Sequence, residues 1–240
     1  MPGPFFIQLF AIRIMNVDEQ VLEAFYNMIS ESKQEKYNTI AANRTRYITV
    51  VMENLIKDHN ASAVLRSCDC FGIQDLHAIE KDVRYEIQRD IAKGAGNWVD
   101  LHSHSTGDNP SIKCIELLRE KGYKIVSTSP HVDMTIREVP LDKPIALIFG
   151  TEVTGISESA ARLSDYEVRL PMHGFTESFN VSVSAALALS RLRERLEDSD
   201  INWHLSHDDQ VKLKIHWATK IIRDGEVVER EIRRRILEKE

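Results

Sequence analysis

Apolar residues recur at Val21, Leu22, Phe25 and Ile29 with polar residues between them, a helical period that predicts one amphipathic helix over 17–37. The pattern then changes to runs too short and too β-branched for helices. "YITVVMEN" (47–54) predicts a buried strand, and a helix from about Ala61 closes at Gly72, where glycine suits a left-handed cap. "DLHAIE" (75–80) and "NWVDLHSH" (97–104) predict two more strands. "DNPSIKCIELLREKG" (108–122) carries a helix with Asn109 as its cap, Pro110 in the first turn and Gly122 at its end. "YKIVSTS" and "PIALIFG" are continuous apolar strands, "SESAARL" is a short helix capped by Ser157, and "YEVRLP" is a last strand. Ala185, Leu189, Leu192 and Leu196 then repeat at helical spacing. Beyond residue 198 the alternation stops, and an Ile/Val/Leu stripe at 227, 228, 232, 236 and 237 predicts a helical tail.

Strands alternating with helices predict an α/β fold with a mostly parallel sheet and helices on both faces. The expected organisation is an N-terminal helical extension (1–46), an α/β domain (47–197) and a C-terminal helical tail (198–240). A sheet of this kind binds ligands beyond the carboxyl ends of its strands. The usual phosphate-binding signatures are missing: no G-x-G-x-x-G follows the first strand, "GAGN" (94–97) lacks the third glycine, and no Walker loop or nucleophile elbow occurs.

Composition narrows the picture further. Three cysteines, Cys68, Cys70 and Cys114, make no even framework and read as reduced thiols of a cytoplasmic protein. Cys68 and Cys70 have no second pair at zinc spacing, so no metal site is expected. The apolar patch 5–12 is too short to span a bilayer, so no membrane partner is expected, and burial at an interface is the reading for it.

Three stretches carry candidate chemistry. In "HNASAVLRSCDCFG" (59–72), Asn60 sits where a helix would start and Arg66 follows; a cap and a surface arginine are the plain alternative. In "IALIFGTEVTGIS" (145–157), a buried strand ends at Phe149-Gly150, a glycine that would let backbone approach a ligand, and Glu152 follows directly; an ordinary turn is the alternative. In "PMHGFTESFNVSVSAALAL" (171–189), a flexible loop leads into a helix rich in small residues, and a buried Asn180 amide would need polar partners.

Together and in this order, "NASAVLR", "FGTEVTG" and "PMHGFTESFNVSVSAA" resemble the motifs of the SpoU/TrmH RNA 2′-O-methyltransferases of the SPOUT superfamily, over about residues 47–196. The segments "DLHAIE" and "AGNWV" are most similar to the tRNA branch, which modifies a D-loop guanosine. The resemblance implies a deep C-terminal trefoil knot, S-adenosylmethionine as cofactor, and a homodimer with its site at the subunit interface. It implies cofactor contacts from Thr128, Phe149, Gly150, Leu170, Met172, Ser178 and Phe179, and catalytic roles for Arg66, Asn60, Glu152 and Asn180. Arg66 is read as a phosphate clamp and oxyanion stabiliser, with general base as the other assignment, because a guanidinium pKa above ~12 makes a poor base. Glu177 and Phe179 stand where many family members have Gln and Leu.

Charge runs against an RNA partner. The formal net charge is −6, with the excess acid inside 47–190. Local basic clusters, Arg44/Arg46 and Arg233/Arg234/Arg235, are therefore expected to dock tRNA. The competing readings are a 2′-O-methyltransferase of ribosomal RNA or of another tRNA position, and a non-catalytic RNA-binding protein.

Overall fold

Strand segments that are apolar throughout are stable only when covered on both sides, and those apolar on alternate positions need cover on one. The computed structural model, which describes residues 15–55, 57–80, 85–151 and 153–238, meets this demand with six parallel strands. They are β1 (Ile48–Glu53), β2 (Asp75–Ile79), β3 (Asp100–His104), β4 (Lys124–Thr128), β5 (Ile145–Phe149) and β6 (Tyr166–Val168), in the order β3-β2-β1-β5-β4-β6. The helices are α1 (Val17–Tyr26), α2 (Glu31–Ala42), α3 (Asp58–Cys70), α4 (Arg89–Ala92), α5 (Pro110–Glu120), α6 (Glu158–Arg162), α7 (Val181–Glu197), α8 (His207–Ile221) and α9 (Gly225–Leu237).

The chain forms two compact units, residues 39–205 and a second made of the two ends, up to residue 38 and from residue 206. In the first, strand alternation sorts two cores. Val50, Met52, Leu76, Leu147 and Phe149 pack with Val64 and Leu65 of α3 and with Leu189 and Leu192 of α7. Val51, Ile79, Ile125, Ala146 and Ile148 pack with Cys114, Ile115 and Leu118 of α5 and Ala160 of α6. Residues 198–205, read from sequence as the start of the tail, belong to this unit: the Thr45 hydroxyl donates to the Trp203 carbonyl at 2.5 Å, and the Arg193 guanidinium lies 3.8 Å from the Trp203 ring centre. In the second unit, α1, α8 and α9 pack together, and Arg233 of α9 reaches Asp18 of α1 at 2.7 Å.

The local signals act as read at most helix ends. The Asn109 side chain accepts from the Ile112 N–H with Pro110 beside it, and Ser157 accepts from Ala160. Three boundaries differ. The single helix expected over 17–37 is two helices, and Gln34 of α2 donates to the carbonyls of Tyr26 and Ile29 at the turn between them. The strand expected from residue 97 starts at Asp100, after a 3₁₀ turn at Ala95–Asn97. The last strand stops at Val168, and Arg169 continues only as a bridge to Thr135. The apolar patch at 5–12 lies outside the described residues.

Candidate active site

The strand order reverses between β1 and β5, and a ligand crevice is expected where the strand order turns. A cleft of about 770 Å³ lies on that side, at the carboxyl ends of β4, β5 and β6. Thr128, Phe149, Gly150, Leu170, Met172, Ser178 and Phe179 all line it, together with Asn60 and Asn180. The Thr128 hydroxyl is spent on the Ile148 carbonyl at 3.0 Å, locking β4 to β5.

Gly150 is constrained differently from the sequence expectation. A Cβ there would lie 2.2 Å from the carbonyl carbon and oxygen of Gly155 and 2.3 Å from the Ile156 nitrogen. The close approach is therefore to the chain's own loop. That loop closes through Thr151 N–H to Gly155 O at 2.9 Å and Gly155 N–H to Thr151 O at 3.1 Å, with Gly155 at φ +71°. Its far end is tied down by a residue the sequence reading missed. Glu53, buried at the end of β1, accepts from the Ser157 N–H at 2.8 Å, from the Ser157 hydroxyl at 2.7 Å and from the Ser111 hydroxyl. The available signal was an acid ending an otherwise apolar buried strand.

Asn60 is not the cap of α3. It lies in the first turn, 2% exposed, while Lys57 occupies the cap position without a side-chain bond. Asn180 is the cap of α7 and is exposed, yet it is fully partnered: its Oδ1 accepts from Ser182 N–H at 2.9 Å and the Ser182 hydroxyl at 2.6 Å. Its free amide donates to Asn60 Oδ1 at 3.1 Å. Arg66 lies farther along α3, exposed, and is not among the described residues lining the cleft. Glu152 lies outside the described residues. Lining residues that the reading missed include Lys57, His131 and Arg169; "SPH" after the end of β4 was the legible hint for the second.

Residues 47–190 match the SpoU rRNA Methylase family. The chain belongs to that family. Among similar proteins of the SpoU family are two named tRNA (guanosine(18)-2′-O)-methyltransferase. The one from Borreliella burgdorferi is 29% identical across 89% of this chain and 98% of its own length. The one from Thermus thermophilus is 34% identical across 70% of this chain and 86% of its own. A TrmH/SpoU tRNA modifying enzyme from A. aeolicus superposes with a TM-score of 0.71 at 27% identity, covering 80% of this chain and 98% of that one.

The basic clusters of this SpoU-family chain fare unequally. Arg44 is corrected as a docking residue: it is 1% exposed, pairs with Asp69 and donates to the Ile73 carbonyl at 3.3 Å. A phosphate cannot reach it without unfolding the turn. Arg46 bridges Asp75 and Asp100, each at 2.9 Å. Arg233 bridges Asp18 and Glu229. Arg234 and Arg235 share Glu231 and remain 61% and 69% exposed along their side chains. No described helix is long and apolar enough to cross a membrane.

Proposed function

We propose that this chain is an S-adenosylmethionine-dependent tRNA 2′-O-methyltransferase acting on guanosine 18 of the D-loop, the position named for its relatives. The observation that carries the reading is the convergence of Asn60, Asn180 and the seven residues Thr128, Phe149, Gly150, Leu170, Met172, Ser178 and Phe179 on one cleft, although they come from separate stretches of chain. The cleft suits the cofactor: its volume is in the usual range for small-molecule sites, and apolar Phe149, Leu170, Met172 and Phe179 line it beside polar Thr128, Ser178 and Asn180. When bound, the cofactor supplies a sulfonium methyl already activated for displacement. The protein must then orient the ribose, exclude water and manage one proton.

Asn180, held by Ser182 and by Asn60, orients groups at the cleft mouth. Arg66 serves from a second copy, where its guanidinium faces the ribose 2′-oxygen and its phosphate; Glu152 orients them. A homodimer is supported by exposed apolar side chains, Val153, Phe175, Phe179 and Val183, on the cleft rim and first turn of α7. The reading includes a backbone knot, supported by Ser182, Ser184, Ala185, Ala186 and Ala188, small residues that let α7 pass close to other backbone. Arg46, Arg233, Arg234 and Arg235 form the tRNA-docking set, with the two exposed members of α9 carrying most of it. The setting is the cytoplasm, where tRNA is processed.

The test is incubation with unmodified tRNA and labelled cofactor, followed by mass-spectrometric mapping of 2′-O-methyl nucleosides. The expected product is one 2′-O-methylguanosine in the D-loop. Label entering ribosomal RNA in place of tRNA would move the substrate, and cofactor binding without transfer to either RNA would point to a non-catalytic RNA binder.

A further inference from the structure

On the α5 side of the sheet, the edge strand β3 and its neighbour β2 carry three histidines. His77 of β2 pairs in register with His102 of β3, so His104, two residues on, lies on the same face. The rings stack, with His77 centred 4.6 Å from His102 and 5.2 Å from His104. Cys114, in the second turn of α5, closes over this face in the same packed cluster as Ile79 and Val51. None of these residues lines the cleft.

We infer that His77, His104 and Cys114 form a binding site for a zinc-class divalent transition-metal ion, which ties α5 to the edge of the sheet. One donor atom from each residue lies within 4.8 Å of the other two, and His77 Nδ1 and His104 Nε2 are 2.9 Å apart. Zinc bonds of about 2.0–2.1 Å to nitrogen and about 2.3 Å to sulfur would set tetrahedral edges of roughly 3.4–3.6 Å. To admit the ion the two rings part by about half an ångström, and the Cys114 sulfur, no farther than 4.8 Å from either ring nitrogen, closes by up to about an ångström. An N₂S donor set is borderline-soft and suits zinc rather than magnesium or calcium. His102 is already committed to Asp75 at 2.8 Å, which leaves three protein ligands and a fourth vertex for water on the half-buried side of His104.

The surroundings keep the donors in a suitable state. The 2.9 Å contact between His77 Nδ1 and His104 Nε2 holds one proton between the two nitrogens, and a tautomer shift of the donor ring turns both lone pairs toward the ion. Cys114 is a free, buried thiol, and the metal takes the place of its proton. Binding is therefore Cys–SH plus M²⁺ giving Cys–S–M⁺ plus H⁺, with no electron transferred.

The experiment is Co²⁺ titration of the chelator-stripped, reduced full-length protein, read by the thiolate-to-cobalt charge-transfer band and by thermal unfolding with added Zn²⁺. One Co²⁺ per chain, displaced by Zn²⁺, with a thermal midpoint raised by several degrees, is expected. Cys114→Ser should abolish the band. His104→Asn should weaken binding at least about tenfold, on the scale of losing an ordered ligand-shell group. Absence of the band from the folded wild-type protein would overturn the site, whatever the variants do. So would an unchanged titration in His104→Asn, or a thiolate band that persists in Cys114→Ser.

Discussion

The side-chain amide of Asn180 donates to Oδ1 of Asn60 at 3.1 Å, across 120 positions of sequence. The bond joins the cap of α7 to the first turn of α3, and both residues line the cleft. Its two functions can be separated. Asn180→Ser keeps a cap acceptor for α7 but cannot reach Asn60 with an amide. Methyl transfer should fall with the melting temperature nearly unchanged. Asn180→Ala should lose activity and also about 1 kcal/mol of stability. Equal activity in Asn180→Ser and wild type, measured with saturating tRNA, would remove the role given to the amide.

Arg66 lies outside its own chain's cleft, so its contribution should come across an interface. Arg66→Lys keeps the charge and loses the planar fork, and turnover should drop by roughly ten- to a thousandfold. Calorimetry should find cofactor affinity nearly unchanged. Mixing inactive Arg66→Ala with inactive Asn180→Ala should restore measurable activity in the mixed dimers. A strictly monomeric mass at micromolar concentration, or no restoration after subunit exchange, would rule out the shared site.

Gly150→Ala would place a methyl carbon 2.2 Å from Gly155 backbone. Because backbone cannot swing aside as a side chain can, the closed loop must shift, at a cost of about 1–3 kcal/mol. Cofactor affinity should fall together with the denaturation midpoint. An alanine variant that binds cofactor as wild type would mean the loop moves freely.

Arg44 and the α9 arginines should separate stability from RNA affinity. Arg44→Ala removes a buried side chain together with its bonds to Asp69 and the Ile73 carbonyl and should cost about 2–3 kcal/mol, with little change in the salt slope of tRNA binding once the protein is folded. The Arg234→Ala, Arg235→Ala double variant should do the reverse: near-native unfolding, weaker tRNA retardation and a shallower salt slope. A steeper slope change in Arg44→Ala than in the double variant would reverse the assignment.

Asp165 offers a pH test. Burial pushes its carboxyl up, but the Ile125 N–H at 2.8 Å and Lys124 at 3.0 Å outweigh that and hold it below its ordinary value. The folded state therefore binds this proton less readily than the unfolded chain, so its contribution is present above the unfolded pKa of 3.8 and is lost as pH falls below it. Asp165→Asn should lower the denaturation midpoint at pH 7 and flatten its decline on the acid side. An acid limb as steep as wild type would refute this.

The sequence by itself determined most of the ladder of strands and helices, the caps at Asn109 and Ser157, and three motif stretches that each send residues to the cleft, though not Arg66. Those features depend on residue-by-residue periodicity and on side chains bonding backbone two or three positions away, so they are written locally. Only the tertiary structure decided that Asn60 is held by Asn180, that Gly150 is confined by Gly155, that Glu53 ties down Ser157, and that Arg44 is buried against Asp69 while Arg234 stays in solvent. It also brought His77, His104 and Cys114 together, from three segments that carry no shared spacing. The physical reason is common to all of these. They depend on strand order and on which face of each element meets its neighbour, and a periodicity reports that an element has a buried face without naming what covers it.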